Sequence, residues 1–346
     1  MNKATILLIV ATLSYLPSSY SFTQQTVSVP ALTTSTRDCQ PLECPHFKTC
    51  PGCITDQRYT NVPIIDSAKL YFSSSSVQQK TIEPRDDFYE TVIPSSVKGW
   101  RTQAKLAVQP KSKWGNGCLF GLYERKSHNI VEIPECVVHH PNINRAVDVL
   151  TRATDTVKTP AWKEDKGTDG LRYVQLSVER TTGKVSMTLV WHAGNLKGCQ
   201  PHLARLLKEC KRLDKDLFHS IWCHTNESLG NAIFARGEKN WHPMDGPEFM
   251  REVLPGTDVE NRQGLLHFTP MVFRQGNMDG FDEIAMHVAR TVPGGSKVCE
   301  LYAGVGLLGL TALTHCAKES EPLQWLRCSD ENPANPRCFK RTVNSM

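Results

Sequence analysis

Apolar and polar positions alternate in two clear places along the chain, and each predicts β-structure. Trp100–Val108 (WRTQAKLAV) alternates as a strand does, and Gly170–Trp191 (GLRYVQLSVERTTGKVSMTLVW) reads as a hairpin closed by Thr181-Thr182-Gly183-Lys184. The period then lengthens. In Leu203–Lys215 the apolar residues Leu203, Leu206, Leu207, Cys210 and Leu213 recur at helical spacing, opposite a basic face of Arg205, Lys208, Lys211, Arg212 and Lys215. His224–Phe234 is expected to be a further turn-and-strand pair, and a helix is expected over about Gly280–Thr291. A short apolar run, Val298–Tyr302, leads into the glycine-rich Ala303–Gly309 and then an apolar stretch of helical character, Leu307–Leu313. A second short apolar run, Trp325–Cys328, ends at Asp330-Glu331. The pattern predicts a mixed α/β chain. A β-rich part over about 96–265 is followed by the opening of a Rossmann-like sheet from 266 to 346.

The strand–turn–helix of Lys297–Leu313 is where the chemistry concentrates. Gly304, Gly306 and Gly309 form a G-x-G-x-x-G. Such glycines allow a sharp turn and a close backbone approach, and the helix that follows presents free N–H groups. The motif alone fits a dinucleotide site equally well. Glu300, inside the strand, can face an amino group, and a carboxylate from Asp330 or Glu331 can hold two ribose hydroxyls. Together these suit S-adenosylmethionine, which carries a ribose and an amino acid but no pyrophosphate.

Composition adjusts this picture at three points. With 346 residues and 40% hydrophobic content the chain can bury a sizeable core in two or three domains. A net charge of +5 permits an RNA partner without requiring one. Thirteen cysteines, an odd count, argue for metal, cluster or free thiols over a fully paired disulfide framework. Met1–Ser21 (MNKATILLIVATLSYLPSSYS) reads as a secretory signal peptide, too short for a spanning helix. Residues 22–38 are rich in Ser and Thr, as transit peptides are. The two in tandem resemble the bipartite plastid targeting of algae with secondary plastids. Plastid localisation is therefore expected, with the secretory pathway as the alternative and no stable membrane association once the signal is removed. Within 39–95, Cys39–Cys53 (CQPLECPHFKTCPGC) gathers thiols in a loop that Pro45, Pro51 and Gly52 keep irregular. Three close thiols need a fourth to complete a zinc or iron–sulfur site, and Cys39 or Cys136 could supply it; disulfides are the alternative.

These motifs resemble one family. Cys44-Pro45-His46-Phe47 with Cys50-x2-Cys53, followed by LFGLYERKSHNIVEIPEC at Leu119–Cys136, is similar to the [4Fe–4S] motif of the RNA (uracil-5)-methyltransferases, ribosomal and transfer. The resemblance implies Cys44, Cys50, Cys53 and Cys136 as cluster ligands, with Cys39 a bystander. Phe273-x-Gln275-x-Asn277 matches the family's F-x-Q-x-N signature. It implies that Gln275, Tyr302, Gly304 and Gly306 bind S-adenosylmethionine, with Glu300 and one of Asp330 or Glu331. Arg101 and Lys105 correspond to a basic strand that faces rRNA or tRNA, although a solvated strand face is the other reading. Alone, the F-x-Q-x-N pattern fits a helix cap as well. Asn226-Glu227-Ser228 also fits a glycosylation acceptor.

The family's reaction needs a cysteine nucleophile and a base, and no residue here matches either. They are expected beyond Met346, so the methyltransferase part at 266–346 is read as truncated and the chain as inactive in its written form. A full-length enzyme is expected to be a monomer. Two alternatives remain: a non-catalytic RNA- and cluster-binding remnant, and a secreted disulfide-bearing protein.

Overall fold

The computed structural model describes residues 40–53, 57–58, 96, 98–111, 117–163, 169–200, 202–230, 232–257 and 264–346. Both leader segments and Cys39 lie outside the described residues.

Seven strands form the main sheet: β3 (Gln103–Pro110), β4 (Cys118–Tyr123), β5 (Ile130–Glu132), β6 (Gly170–Val178), β7 (Val185–His192), β8 (Phe218–Thr225) and β9 (Trp241–Asp245), in the order β5-β4-β3-β6-β7-β8-β9. Every neighbour is antiparallel except the pair β7–β8. That pair is parallel because a crossover of two helices, α2 (Leu196–Cys199) and α3 (His202–Leu213), returns the chain to the same end. The predicted hairpin is β6–β7, with Gly183 at φ +70° in its turn. The predicted amphipathic helix is α3, which buries Leu203, Leu206 and Cys210 and leaves Arg205, Lys208 and Lys211 exposed. A short pair, β1 (Gln40–Pro41) with β2 (Gln57–Arg58), lies beside the cysteine loop in sequence.

A helix not anticipated above is α1 (Pro141–Val157), which packs on α3 and against β4 and β6. It places Ile143, Ala146, Val147, Leu150 and Ala153 in the large core, with Leu106, Phe120, Leu176 and Trp191 from the sheet. The expected turn-and-strand pair at 224–234 is a correction. β8 ends at Thr225 and the chain continues as an irregular loop. The buried Asn226 amide pins that loop by donating to the carbonyls of Ala232 (2.8 Å) and Ile233 (3.1 Å).

A second core gathers Leu254, Leu266, Phe268, Val272, Met278, Leu310 and Cys338. It lies under the antiparallel pair β10 (Met250–Val253) and β11 (Leu265–Phe268), the helix α4 (Met278–Thr291), and the unit β12 (Lys297–Leu301), α5 (Leu307–Lys318), β13 (Trp325–Ser329), α6 (Asn335–Val343). β12 and β13 are parallel, with Lys297 opposite Trp325 and Leu301 opposite Ser329. The whole is a mixed α/β chain. Among the described residues no helix is long and apolar enough to cross a membrane.

Candidate functional site

The turn after β12 has the geometry its glycines imply. Tyr302, Gly304 and Gly306 take φ of +56°, +57° and +82°. A side chain at Gly306 would meet the Phe339 ring at 2.6 Å, whereas one at Gly304 would meet nothing within 4 Å. Gly306 is therefore required by packing and Gly304 faces open space. A Cβ at Gly309 would come within 2.6 Å of the Glu300 carboxylate and 2.9 Å of Leu326, so that glycine lets α5 lie close on its strands. Tyr302 is 69% exposed despite its left-handed backbone. An aromatic side chain held outward in a costly conformation is a feature of ligand sites.

Asp330 closes the turn from the neighbouring strand. Its Oδ2 accepts the Gly304 N–H at 2.8 Å and its Oδ1 accepts that of Asn332 at 2.9 Å. Glu331 is exposed. Asn332 also donates to the Met271 carbonyl at 3.2 Å, which ties the Asp330 end of the sheet to the segment that carries Gln275. Glu300 is buried inside β12, and its Oε2 accepts the N–H of Gly309 at 2.9 Å. It thus satisfies a free donor in the first turn of α5, which has no side-chain cap of its own. Burial, opposed by the Gly309 hydrogen bond, raises its carboxyl from 4.5 to about 7.

The F-x-Q-x-N segment divides its labour. Asn277 caps α4 through the Gly280 N–H at 3.0 Å, the helix-capping role that its sequence position allowed. Phe273 is 69% exposed. Between Phe273 and Gln275, Arg274 points inward. Its guanidinium donates to the Val178 carbonyl (2.9 Å), the Thr102 hydroxyl (3.2 Å) and the buried Glu252 carboxylate. Gln275 is half-buried, and its amide makes no hydrogen bond among the described residues.

The four cysteines singled out in sequence come together. Cys44, Cys50, Cys53 and Cys136 are unpaired and line one cavity of about 110 Å³ with Leu122, Ile133 and His139. Burial raises the Cys53 thiol, and the charges of Cys136, Cys50 and Cys44 raise it further. Four thiolates here would repel one another, so without a bound cation the set is held as neutral thiols. The Gly52 N–H already points at Cys50 Sγ, 3.3 Å away. Among the described residues no group of three or more His, Cys, Asp or Glu side chains is arranged to hold a metal ion.

The strand entry Trp100–Thr102 joins this cavity to the glycine-turn half. Arg101 forms a parallel bridge with His139 and an antiparallel one with Asn277. Its N–H donates to Val138 O (2.8 Å) and its carbonyl accepts from His140 N (2.9 Å), while Thr102 N donates to Gly276 O at 2.8 Å. Arg101 lies over the Trp100 ring at 4.9 Å and lines the cysteine cavity. Lys105 also lines that cavity, and its Nζ sits 5.2 Å over Phe234. No local pattern points to the partners of Arg274 and Thr102, which are up to 174 positions away.

No family model matches the chain. An uncharacterized RNA methyltransferase of Protochlamydia amoebophila is 30% identical over 306 residues, 87% of this chain and 70% of that protein. The tRNA (uracil(54)-C(5))-methyltransferase of Pyrococcus furiosus is 25% identical over 272 residues, 77% of this chain and 55% of its own length. The crystal structure of Pyrococcus abyssi tRNA (uracil-54, C5)-methyltransferase in complex with S-adenosyl-L-homocysteine superposes with a TM-score of 0.55 at 23% identity. That match covers 74% of this chain and 54% of the other, and at that identity it is the fold that is shared. The chain thus spans 70% of the first relative and about half of the other two proteins.

Proposed function

The chain belongs to the RNA methyltransferases, and from that premise we propose that it is part of an S-adenosylmethionine-dependent RNA (uracil-C5)-methyltransferase acting on rRNA or tRNA. The observation that carries this reading is the glycine turn, with Gly304 facing open space, Tyr302 exposed beside it and the Asp330 carboxylate held against it. S-adenosylmethionine supplies an electrophilic methyl group when bound. On this reading Asp330, the carboxylate in contact with the turn, holds the ribose, and Glu331 does not. The free amide of Gln275 offers both donor and acceptor to the amino-acid end. Exposed Phe273 and Tyr302 shield the sulfonium from water.

Carbon 5 of uracil is a weak nucleophile. A thiolate must add to C6 so that C5 can attack the methyl, and a base must then remove the C5 proton as the thiolate leaves. Three of the cysteines near the turn do not suit that role. Burial raises the Cys328 thiol, the neighbouring Glu300 carboxylate raises it further, and Cys316 and Cys338 are raised by burial too. We assign the nucleophile and the base to the part of the relatives' length that this chain does not span.

We also propose that Cys44, Cys50, Cys53 and Cys136 hold a [4Fe–4S] cluster. Its role on this reading is structural. It would fix the loop that Trp100–Thr102 links to Gly276 and Asn277. The two leader segments support a plastid address.

Calorimetry of the full chain with S-adenosylhomocysteine, paired with iron analysis after anaerobic reconstitution, tests both parts. We expect saturable one-to-one binding and about four irons per chain. Absence of binding heat would remove the cofactor reading. An iron-free protein whose thiols resist alkylation until reduced would favour disulfides instead.

A further inference from the structure

The parallel pair β7–β8 ends in a cleft that the site above does not use. It measures about 460 Å³ and is lined by Asn195, Asn226, Glu227, Lys239, Asn240 and His242 among others. The carboxyl end of a parallel strand pair is where open α/β sheets take ligands. An aromatic cluster lies behind it. His224 is fully buried, 4.3 Å from Trp241 and 5.2 Å from Phe234, and Trp162 stacks on His192 at 5.5 Å.

Buried polar atoms without a hydrogen-bond partner concentrate here. Trp162 Nε1, Arg172 Nε, Trp191 Nε1, His192 Nδ1, His224 Nδ1 and His242 Nε2 account for six of the ten such atoms among the described residues. They surround the loop that walls the cleft. Asn226 N donates to Trp191 O at 2.9 Å, His192 Nε2 meets Glu227 O at 3.1 Å, and Arg172 donates to Gly230 O at 2.7 Å. Ala235 N donates to His224 Nε2 at 2.8 Å, so the ring proton of His224 sits on Nδ1 as an unused donor. Of these residues only His242 lines the cleft, so its Nε2 is the unpartnered atom that a ligand there could meet; the other five lie behind the loop.

The chemistry of the lining narrows that ligand. One Glu and one Lys nearly cancel, and the remaining polar groups are amides, hydroxyls and imidazole. Such a set suits a neutral planar molecule with donors and acceptors on one edge, as a nucleobase has. Arg236 and Lys239 are exposed on the rim, interleaved with the exposed Glu227 and Glu238. A charge-balanced polar cleft with two cationic heads within reach of a backbone phosphate fits one base of a strand.

We propose that this cleft receives an unpaired base of the RNA substrate, separate from the base that is methylated. The proposal rests on the RNA reading above. Its test is anisotropy of the full chain with a short labelled single-stranded RNA, across a salt series. His242→Ala is expected to weaken binding about tenfold, the scale of one base contact, with the salt slope unchanged. Lys239→Gln is expected to flatten the slope by about 0.7. If His242→Ala does not fold, Asn240→Ala replaces it. In either case wild-type chain cross-linked to RNA carrying 4-thiouridine is expected to be labelled within 225–242. S-adenosylhomocysteine binding is measured alongside. Wild-type binding of cofactor and RNA, with unchanged affinity in the variants and cross-links elsewhere, would overturn the cleft and leave the methyltransferase reading standing. A chain that binds neither would overturn both.

Discussion

Replacing Arg274 by methionine is expected to destabilise the folded chain by roughly 3–5 kcal/mol, the usual cost of removing one partner of a buried ion pair. The Arg274 guanidinium is buried, and so is the Glu252 carboxylate that it meets. Arg180 contacts the same carboxylate at 2.8 Å, and Asp279 and Asp282 at 2.7 Å each. Two cations therefore face three carboxylates. Burial pulls down the Arg274 pKa, but Glu252 opposes that pull and keeps the arginine charged. Without Arg274, one cation would face three anions in a poorly solvated place, and the carbonyls of Thr102 and Val178 would lose a donor. Urea midpoints measure the loss. Arg274→Met with Glu252→Gln should be more stable than Arg274→Met alone, because the stranded charge is gone. A single variant within about 1 kcal/mol of wild type would show the network to be dispensable. Affinity for S-adenosylhomocysteine should fall as well, since Arg274 anchors the backbone on which Gln275 sits.

That network also shows where sequence reading reaches its limit. The strand–turn–helix at 297–318 was legible because its determinants are local, with three glycines at fixed spacing between two apolar runs. The β6–β7 hairpin was legible for the same reason. The helix α1 was as legible in principle, since Pro141 opens its first turn and Ile143, Ala146, Val147 and Leu150 recur at helical spacing, but its other end signals are weak. It has no acid in its first turn and no base in its last, and its cap is His140, whose Nδ1 accepts the Asn142 N–H at 3.2 Å. The parallel pairing of β7 with β8, the seam through Arg101 and the orphaned atoms around His224 all join residues scattered along the chain, and no local pattern encodes them. Cys136 is the instructive exception. It lies 83 positions beyond Cys53 and was still placed beside it, because the resemblance carried the long-range pairing that spacing could not.

Glu300 gives a prediction whose sign runs against the common behaviour of carboxylates. In sequence it could face a ligand's amino group; in the fold its carboxylate caps α5 from below. With its carboxyl raised to about 7 from 4.5, the folded chain holds the proton more tightly than the unfolded chain does. Its contribution to stability is therefore complete below pH 4.5 and is lost as pH rises through 7. Above that the folded state carries a penalty on the order of 3 kcal/mol. Glu300→Gln keeps an acceptor for the Gly309 N–H and has no proton to lose. The variant should match wild type near pH 4.5 and exceed its stability at pH 8, as read from urea midpoints at the two values. A variant weaker than wild type at pH 8 would mean that the ionised carboxylate has a favourable partner in the fold. The cofactor is the natural second probe. If its ammonium group approaches Glu300, binding must draw the carboxyl toward the charged form. Wild type would then release up to about half a proton on binding S-adenosylhomocysteine near pH 7, where Glu300 is about half protonated, and Glu300→Gln would release none. Calorimetry in buffers of different ionisation enthalpy counts that proton. A count of zero in both proteins would confine Glu300 to capping the helix.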